Sequence, residues 1–302
     1  MPNRNEILHK MSLDRNAAQD KFRRLYLKQL HQKTGNDTII YFANFNPKVP
    51  VPDSALIITN DDISGFMTCI NKLNGNKLDL ILHSPGGSAE TVMQIVNYLR
   101  SKYKYIRAII PQNAMSAATM LACACDEIVM GKESAIGPID PQIKLPIQNG
   151  GSIMVPAHSV LQDFANAKSD VLANPALSSL WIPKLLSIPM GFLDFCQKCI
   201  NVAKSNVALW LNQYMFKDES IKNGEKIAEF LGNFNYHGTH GNPLNFQIAR
   251  DIGLKVSLLE DDDVLQDRVL SVYHAALLTF EMTPCVKLIE NHKGAGSFTM
   301  AK

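Results

Sequence analysis

The chain has 302 residues, enough for one large domain or two small ones with a substantial core. Its 30 basic and 28 acidic residues nearly cancel, which removes any general electrostatic case for nucleic acid or an anionic membrane. Six cysteines in this length do not make a disulfide scaffold, and Cys196-x-x-Cys199 has no second pair to complete a zinc site, so a reducing, cytoplasmic setting is expected.

The N-terminal stretch MPNRNEILHKMSLDRNAAQDKFRRLYLKQL holds no apolar h-region, so no secretory signal is expected. No run approaches the ~18 apolar residues of a membrane-spanning helix. Phe22, Leu25, Leu27 and Leu30 predict an amphipathic helix from about Ala17 to Gln32, stopped by Gly35-Asn36. DTIIYFANF reads as a strand. A proline-rich loop follows, then a helix carrying Ile63, Phe66, Met67 and Ile70. LDLILHS is almost wholly apolar, the pattern of a parallel strand covered on both faces. A helix with Val92, Ile95, Val96 and Leu99 on one side comes next, then the strand YIRAII, a small-residue helix in SAATMLACAC, and the strand EIVM.

Strand–helix alternation at this spacing predicts right-handed crossovers and a parallel sheet, an α/β fold. KLPIQNGGSIMVP predicts a hairpin around Asn149-Gly150. From about His158 to Gly232 the pattern is mainly helical, and GLKVSLL is a late strand. The organisation expected is a single domain over 1–302, with a core at about 36–160 and a helical extension at about 160–302. SSLWIPKLLSIPMGFLDFC, interrupted by Lys184, two prolines and a glycine, is expected to be buried or to contact a second subunit.

The chemistry begins at LILHSPGGSAET. Gly86 and Gly87 end a buried strand and precede a helix, which suits either a tight connection or a backbone site for an oxyanion. It is not a phosphate loop, because no G-x-x-x-x-G-K-[ST] follows. Ser116 stands at the next strand-to-helix junction, as a helix N-cap or as a nucleophile. Successive parallel strands bring such junctions together at their carboxyl ends, where ligands bind in open α/β sheets.

HSPGG, followed by AMSAATMLACACDEIVMGKESAIGPIDPQI, resembles the ClpP/crotonase superfamily and, within it, the serine dehydrogenase proteinase family related to signal peptide peptidase A. RRLYLKQLHQKTGNDTIIYF resembles that family's opening helix and strand, and HGTHGNPLNFQIARDIGLKV its late His-x-x-Pro-[IL] segment, so the likeness covers most of residues 20–260. The resemblance implies a stacked βα spiral, a ring-like homo-oligomer, and a serine peptidase acting on polypeptide without metal or nucleotide cofactor. Apart from the resemblance, the apolar segment SSLWIPKLLSIPMGFLDFC also allows peripheral association with a membrane. The resemblance carries Ser116 over as nucleophile and Gly86 or Gly87, with the Ala117 amide, as oxyanion donors. Ala117-Ala118 departs from relatives with glycine after the serine; the N–H survives, but the space behind Ser116 narrows.

The base is less direct. No histidine lies within GPIDPQI, where the Clp subunit places its own, and His158 falls outside that motif. The resemblance to signal peptide peptidases implies a Ser-Lys dyad. Lys198 matches a family helix with Asp four residues earlier, and Phe195, Cys199 and Val202 on its face are expected to depress its pKa by burial. Lys168, in LQDFANAKSD, is the second candidate. Asp140 and Gln142 are expected to fix the loop beside the site, and His83 to be a packed histidine. His237 and His240 bracket a glycine turn with no carboxylate or cysteine near them in sequence, so no metal is expected there. The competing function is a catalytically silent peptide-binding scaffold. A crotonase-type hydratase is disfavoured, because no carboxylate occupies NAMSAAT.

Overall fold

The protein is described from a computed structural model covering residues 6, 7, 9, 10, 18–146, 150–186 and 188–301. Helix α1 (Ala18–Thr34) leads into strand β1 (Asp37–Ala43), then α2 (Asp61–Ile70), β2 (Lys77–His83), α3 (Ala89–Lys102) and β3 (Tyr105–Ile110). The two-residue strand β4 (Asn113–Ala114) precedes α4 (Ala117–Cys123), β5 (Glu127–Met130) and β6 (Ala135–Ile136). Ala17, the expected first residue of α1, lies outside the described residues.

Strand β1 is buried at every position, and its alternate side chains enter different cores. Ile39 and Tyr41 pack with Phe66, Leu80, Ile95 and Leu121 on the side of α2, α3 and α4. Ile40 and Phe42 pack with Leu27, Leu30, Ile81 and Val269 on the other. Covering both faces removes the polar alternation a half-exposed strand needs, which is why these strands read as continuous apolar runs.

The chain continues through β7 (Gln142–Pro146), β8 (Ser152–Pro156), α5 (Ala157–Ala173), α6 (Ser178–Leu185), α7 (Phe192–Trp210) and α8 (Gly224–Leu231). It ends with β9 (Leu244–Asn245), β10 (Val256–Leu258), α9 (Asp263–Met282), β11 (Cys285–Asn291) and β12 (Gly296–Met300). The main sheet has seven strands in the order β10-β5-β3-β2-β1-β11-β12. The five strands from β10 to β1 are parallel, as the alternation predicts, while β11 and β12 are antiparallel additions.

The C-terminal part is therefore not only helical. It contributes β11 and β12 to the sheet beside β1, so the sheet is built from both ends of the chain. The run CVKLIEN escaped the sequence reading because it carries charges yet is buried throughout. Glu290 meets Arg23 at 2.6 Å and Arg24 at 2.7 Å, and Lys287 meets Asp62 at 2.9 Å. Each buried charge is thus paired.

The hairpin expected near Asn149-Gly150 is formed by β7 and β8, in register from Gln142↔Pro156 to Pro146↔Ser152; Asn149 itself lies outside the described residues. With α5 and α7 it encloses a small separate core of Ala157, Val160, Cys196 and Ile200. The apolar segment through α6 is not buried by this chain: Leu180 is 67% exposed, Leu186 81% and Met190 fully so.

Candidate active site

The carboxyl ends of β2 and β3 are locked together just past the strands. Ser84 N–H donates to the Asn113 carbonyl at 2.9 Å, and Met115 N–H donates to the Ser84 carbonyl at 2.9 Å. This register sets Gly86-Gly87 against Met115-Ser116. A Cβ on Gly86 would stand 2.7 Å from the Ser116 Cβ and 2.6 Å from the Met115 carbonyl oxygen, so only glycine permits the approach.

Ser116 has φ 53° and ψ −120°, a conformation that costs a non-glycine residue energy and that clusters at functional sites. Its hydroxyl makes no capping hydrogen bond to α4, so the N-cap role is not realised. Thr119 holds the turn instead. Its hydroxyl donates to the Ala114 carbonyl at 2.8 Å and accepts the Gly137 N–H at 3.0 Å.

The amides around Ser116 are unequal. Gly86 N–H donates to Ser84 Oγ at 3.2 Å and is occupied. Gly87 forms a parallel bridge with Ile58: Ile58 N–H donates to the Gly86 carbonyl at 2.7 Å, and Ser88 N–H to the Ile58 carbonyl at 3.0 Å. In such a bridge the groups flanking Gly87 face Ile58, and the N–H of Gly87 itself faces away. Among the described residues neither Gly87 N–H nor Ala117 N–H has an internal acceptor.

Both residues line a cavity of about 670 Å³ together with Ser116, Met120, Ile139, Asp140, Ile143, Phe195, Lys198, Ala203 and His240. His240 Nδ1 lies 2.8 Å from Asp140 Oδ1, and the Asp140 side chain is fully buried. Gln142 Nε2 donates to the other carboxylate oxygen at 2.7 Å. With Nδ1–H donating to Asp140, His240 keeps an accepting lone pair on Nε2. No carboxylate stands near His240 in sequence; the fold supplies one from the GPIDPQI loop. The signal was present in the His240-x-x-Pro243-Leu244 segment, whose likeness to the family was legible but whose role was not.

Lys198 lines the same cavity, but its side chain is 71% exposed and its Nζ lies 2.7 Å from Asp194 Oδ2. The hydrogen bond that Lys198 donates to Asp194, reinforced by the carboxylate charge, raises the lysine pKa above its ordinary value. The expected burial against Phe195 is absent, since Phe195 is itself 50% exposed. One helical turn between Asp194 and Lys198 favours this ion pair over inward packing. Lys168 lies exposed on α5 and does not line the cavity. His158 stacks near Phe234, and burial, followed by the charge of Lys204, lowers its pKa. Among the described residues no three metal-capable side chains converge.

A match to the ClpP-like SDH-type serine proteinases spans residues 54–279, most of the chain. The protein belongs to this family. Two uncharacterised proteins of Methanocaldococcus jannaschii are similar to it, one 28% identical over 68% of the chain and the other 29% identical over 60%. The matches span 63% and 52% of those relatives' own lengths. A membrane-bound stomatin-specific protease is similar at 19% identity and TM-score 0.41, over 70% of this chain and 79% of that one. A second structure of that protease, holding a substrate peptide, is similar at 18% identity and TM-score 0.29, over 71% and 90%. Among the described residues no helix is long and apolar enough to cross a membrane.

Proposed function

We propose that this family member is an active serine peptidase in which Ser116 is the nucleophile, His240 the general base and Asp140 its orienting partner. The observation that carries the reading is that Ser116, the Asp140-bound His240 and the unoccupied amides of Gly87 and Ala117 border one cavity. His240 Nε2 takes the Ser116 proton as Oγ adds to the scissile carbonyl, and the Gly87 and Ala117 N–H groups receive the tetrahedral oxyanion. The imidazolium passes its proton to the leaving amine as the C–N bond breaks. Water, deprotonated by the same imidazole, then releases the acid from the Ser116 ester. The apolar walls at Met120, Ile139, Ile143 and Ala203 suit an apolar substrate side chain in an extended polypeptide.

Labelling with a fluorophosphonate, followed by peptide mapping, tests this reading. Modification at Ser116, absent in Ser116→Ala and accompanied by casein cleavage, supports a peptidase. An unlabelled Ser116 in folded protein that still binds peptide would establish the silent scaffold instead.

A second reading keeps Lys198 as the base, favoured by its place on the same cavity wall. It requires a substrate to displace Asp194 and desolvate the ammonium, because only a neutral amine can accept the serine proton.

A further inference from the structure

Beside the 57–59 backbone that holds the glycine turn lies a buried ion pair that the reaction scheme does not use. Lys287 on β11 and Asp62 on α2 are 3% and 4% exposed at the side chain, and their charged atoms are 2.9 Å apart. Lys287 Nζ also donates to the Ile57 carbonyl at 2.9 Å. Asp62 Oδ2 accepts from the Tyr41 hydroxyl and from the Thr59 N–H, each at 2.9 Å. The pair therefore grips the backbone on both sides of Ile58. Ile58 is the residue whose N–H and carbonyl hold Gly86 and Ser88, leaving Gly87 N–H turned outward. The backbone of Ile58 is also so close that a Cβ on Gly87 would lie 2.4 Å from its nitrogen.

A lone buried charge here would be costly, and an apolar pair of similar volume would serve packing as well or better. What an apolar pair cannot do is bond the Ile57 carbonyl and the Thr59 amide. We propose that Lys287 and Asp62 are positioning residues for the oxyanion site, clamping residues 57–59 so that Gly87 N–H stays aimed at the reacting carbonyl. This rests on the peptidase reading for its catalytic consequence, though not for the clamp itself. An oxyanion donor acts only when fixed in advance, and a displacement near 1 Å is enough to lose much of its effect.

The test pairs kinetics with hydrogen exchange in the full chain. Lys287→Met combined with Asp62→Leu removes both charges together, leaves no buried ion unpaired, and takes away the bonds to the Ile57 carbonyl and the Thr59 amide. Exchange should quicken at the Ile58 and Ser88 amides while β3 and β5 keep their protection. The rate at which the fluorophosphonate phosphonylates Ser116, with loss of fluoride, and kcat on peptide should fall roughly 10- to 100-fold. Peptide affinity in a Ser116→Ala background should fall far less than kcat, because the Gly87 donor acts on the tetrahedral oxyanion more than on the ground-state peptide. A folded double variant with wild-type exchange at these amides, or with a wild-type phosphonylation rate, overturns the proposal. If the double variant does not fold, Tyr41→Phe, which removes one hydrogen bond to Asp62, should move both readouts the same way by a smaller factor. Unchanged exchange in that variant overturns it equally. A wild-type protein whose Ser116 is never phosphonylated sinks the peptidase reading, while the exchange measurement still decides the clamp.

Discussion

His240 Nδ1 lies 2.8 Å from Asp140 Oδ1, a pair drawn together across 100 residues of chain on the wall of the cavity that holds Ser116. Lys198, on the same wall, is held by Asp194 in its charged form. The two candidate bases are thus separable by substitution. His240→Gln should lower kcat on casein-derived peptides by at least about 10³-fold, the scale of losing a triad member. Lys198→Met should stay within a few-fold of wild type. Activity kept in His240→Gln and abolished in Lys198→Met would transfer the role to the lysine.

Gly87 is the position where backbone space is tightest. An added Cβ would meet Ile58 N at 2.4 Å and Ile58 O at 2.5 Å, and φ is +148°. Backbone atoms cannot step aside cheaply, so Gly87→Ala must rotate the turn and its N–H. Turnover should fall by roughly 10²–10³, the usual loss for one oxyanion donor. Circular dichroism and melting confirm that the variant is folded; a folded Gly87→Ala with full activity would refute the assigned donor.

Stability should weaken on mild acidification. Burial among Phe42, Phe45 and Tyr273 lowers the His83 pKa to about 4, and burial together with the stacked His31 ring lowers that of His292 to about 4. Both are neutral in the folded chain, whereas an unfolded histidine titrates near 6.5. Between about pH 6.5 and 4 the unfolded state binds more protons, so unfolding free energy falls as pH falls and is flat above that window. His83, the more deeply buried, accounts for about 3 kcal/mol across the window, and His292 adds in the same direction. Urea denaturation at pH 7.5 and 4.5 measures the slope, and His83→Gln should flatten it. An equal slope in the variant would show that His83 titrates normally.

The segment through α6 leaves Leu180, Ile182, Leu186 and Met190 outside, more clustered apolar surface than a soluble monomer usually shows. We place a second copy of the chain against it. Light scattering at micromolar concentration should give a mass well above 33.5 kDa. Leu186→Glu with Met190→Lys should shift the protein toward the monomer, while a stable wild-type monomer would remove the contact. Vesicle binding by that monomer would assign the surface to a lipid interface instead.

Local chemistry was enough for much of this protein. The near-continuous apolar runs at 78–82 and Tyr105–Ile110 pointed to strands buried on both faces, the pattern of a parallel sheet covered by helices. Gly86, Gly87 and Ser116 declared a tight turn beside a serine hydroxyl, because steric freedom and a hydroxyl are properties of single residues. Tertiary structure decided what depends on partners distant in sequence. Lys287 and Glu290 disguised β11 until Asp62 and Arg23 were seen to neutralise them. Lys198 looked inward by helical periodicity, yet periodicity fixes only which residues share a face, not whether that face is covered; Asp194, one turn away, holds it in solvent. His240 looked isolated until the fold delivered Asp140, because the charge balance of a buried site is settled by contacts in space and sequence spacing carries no record of them.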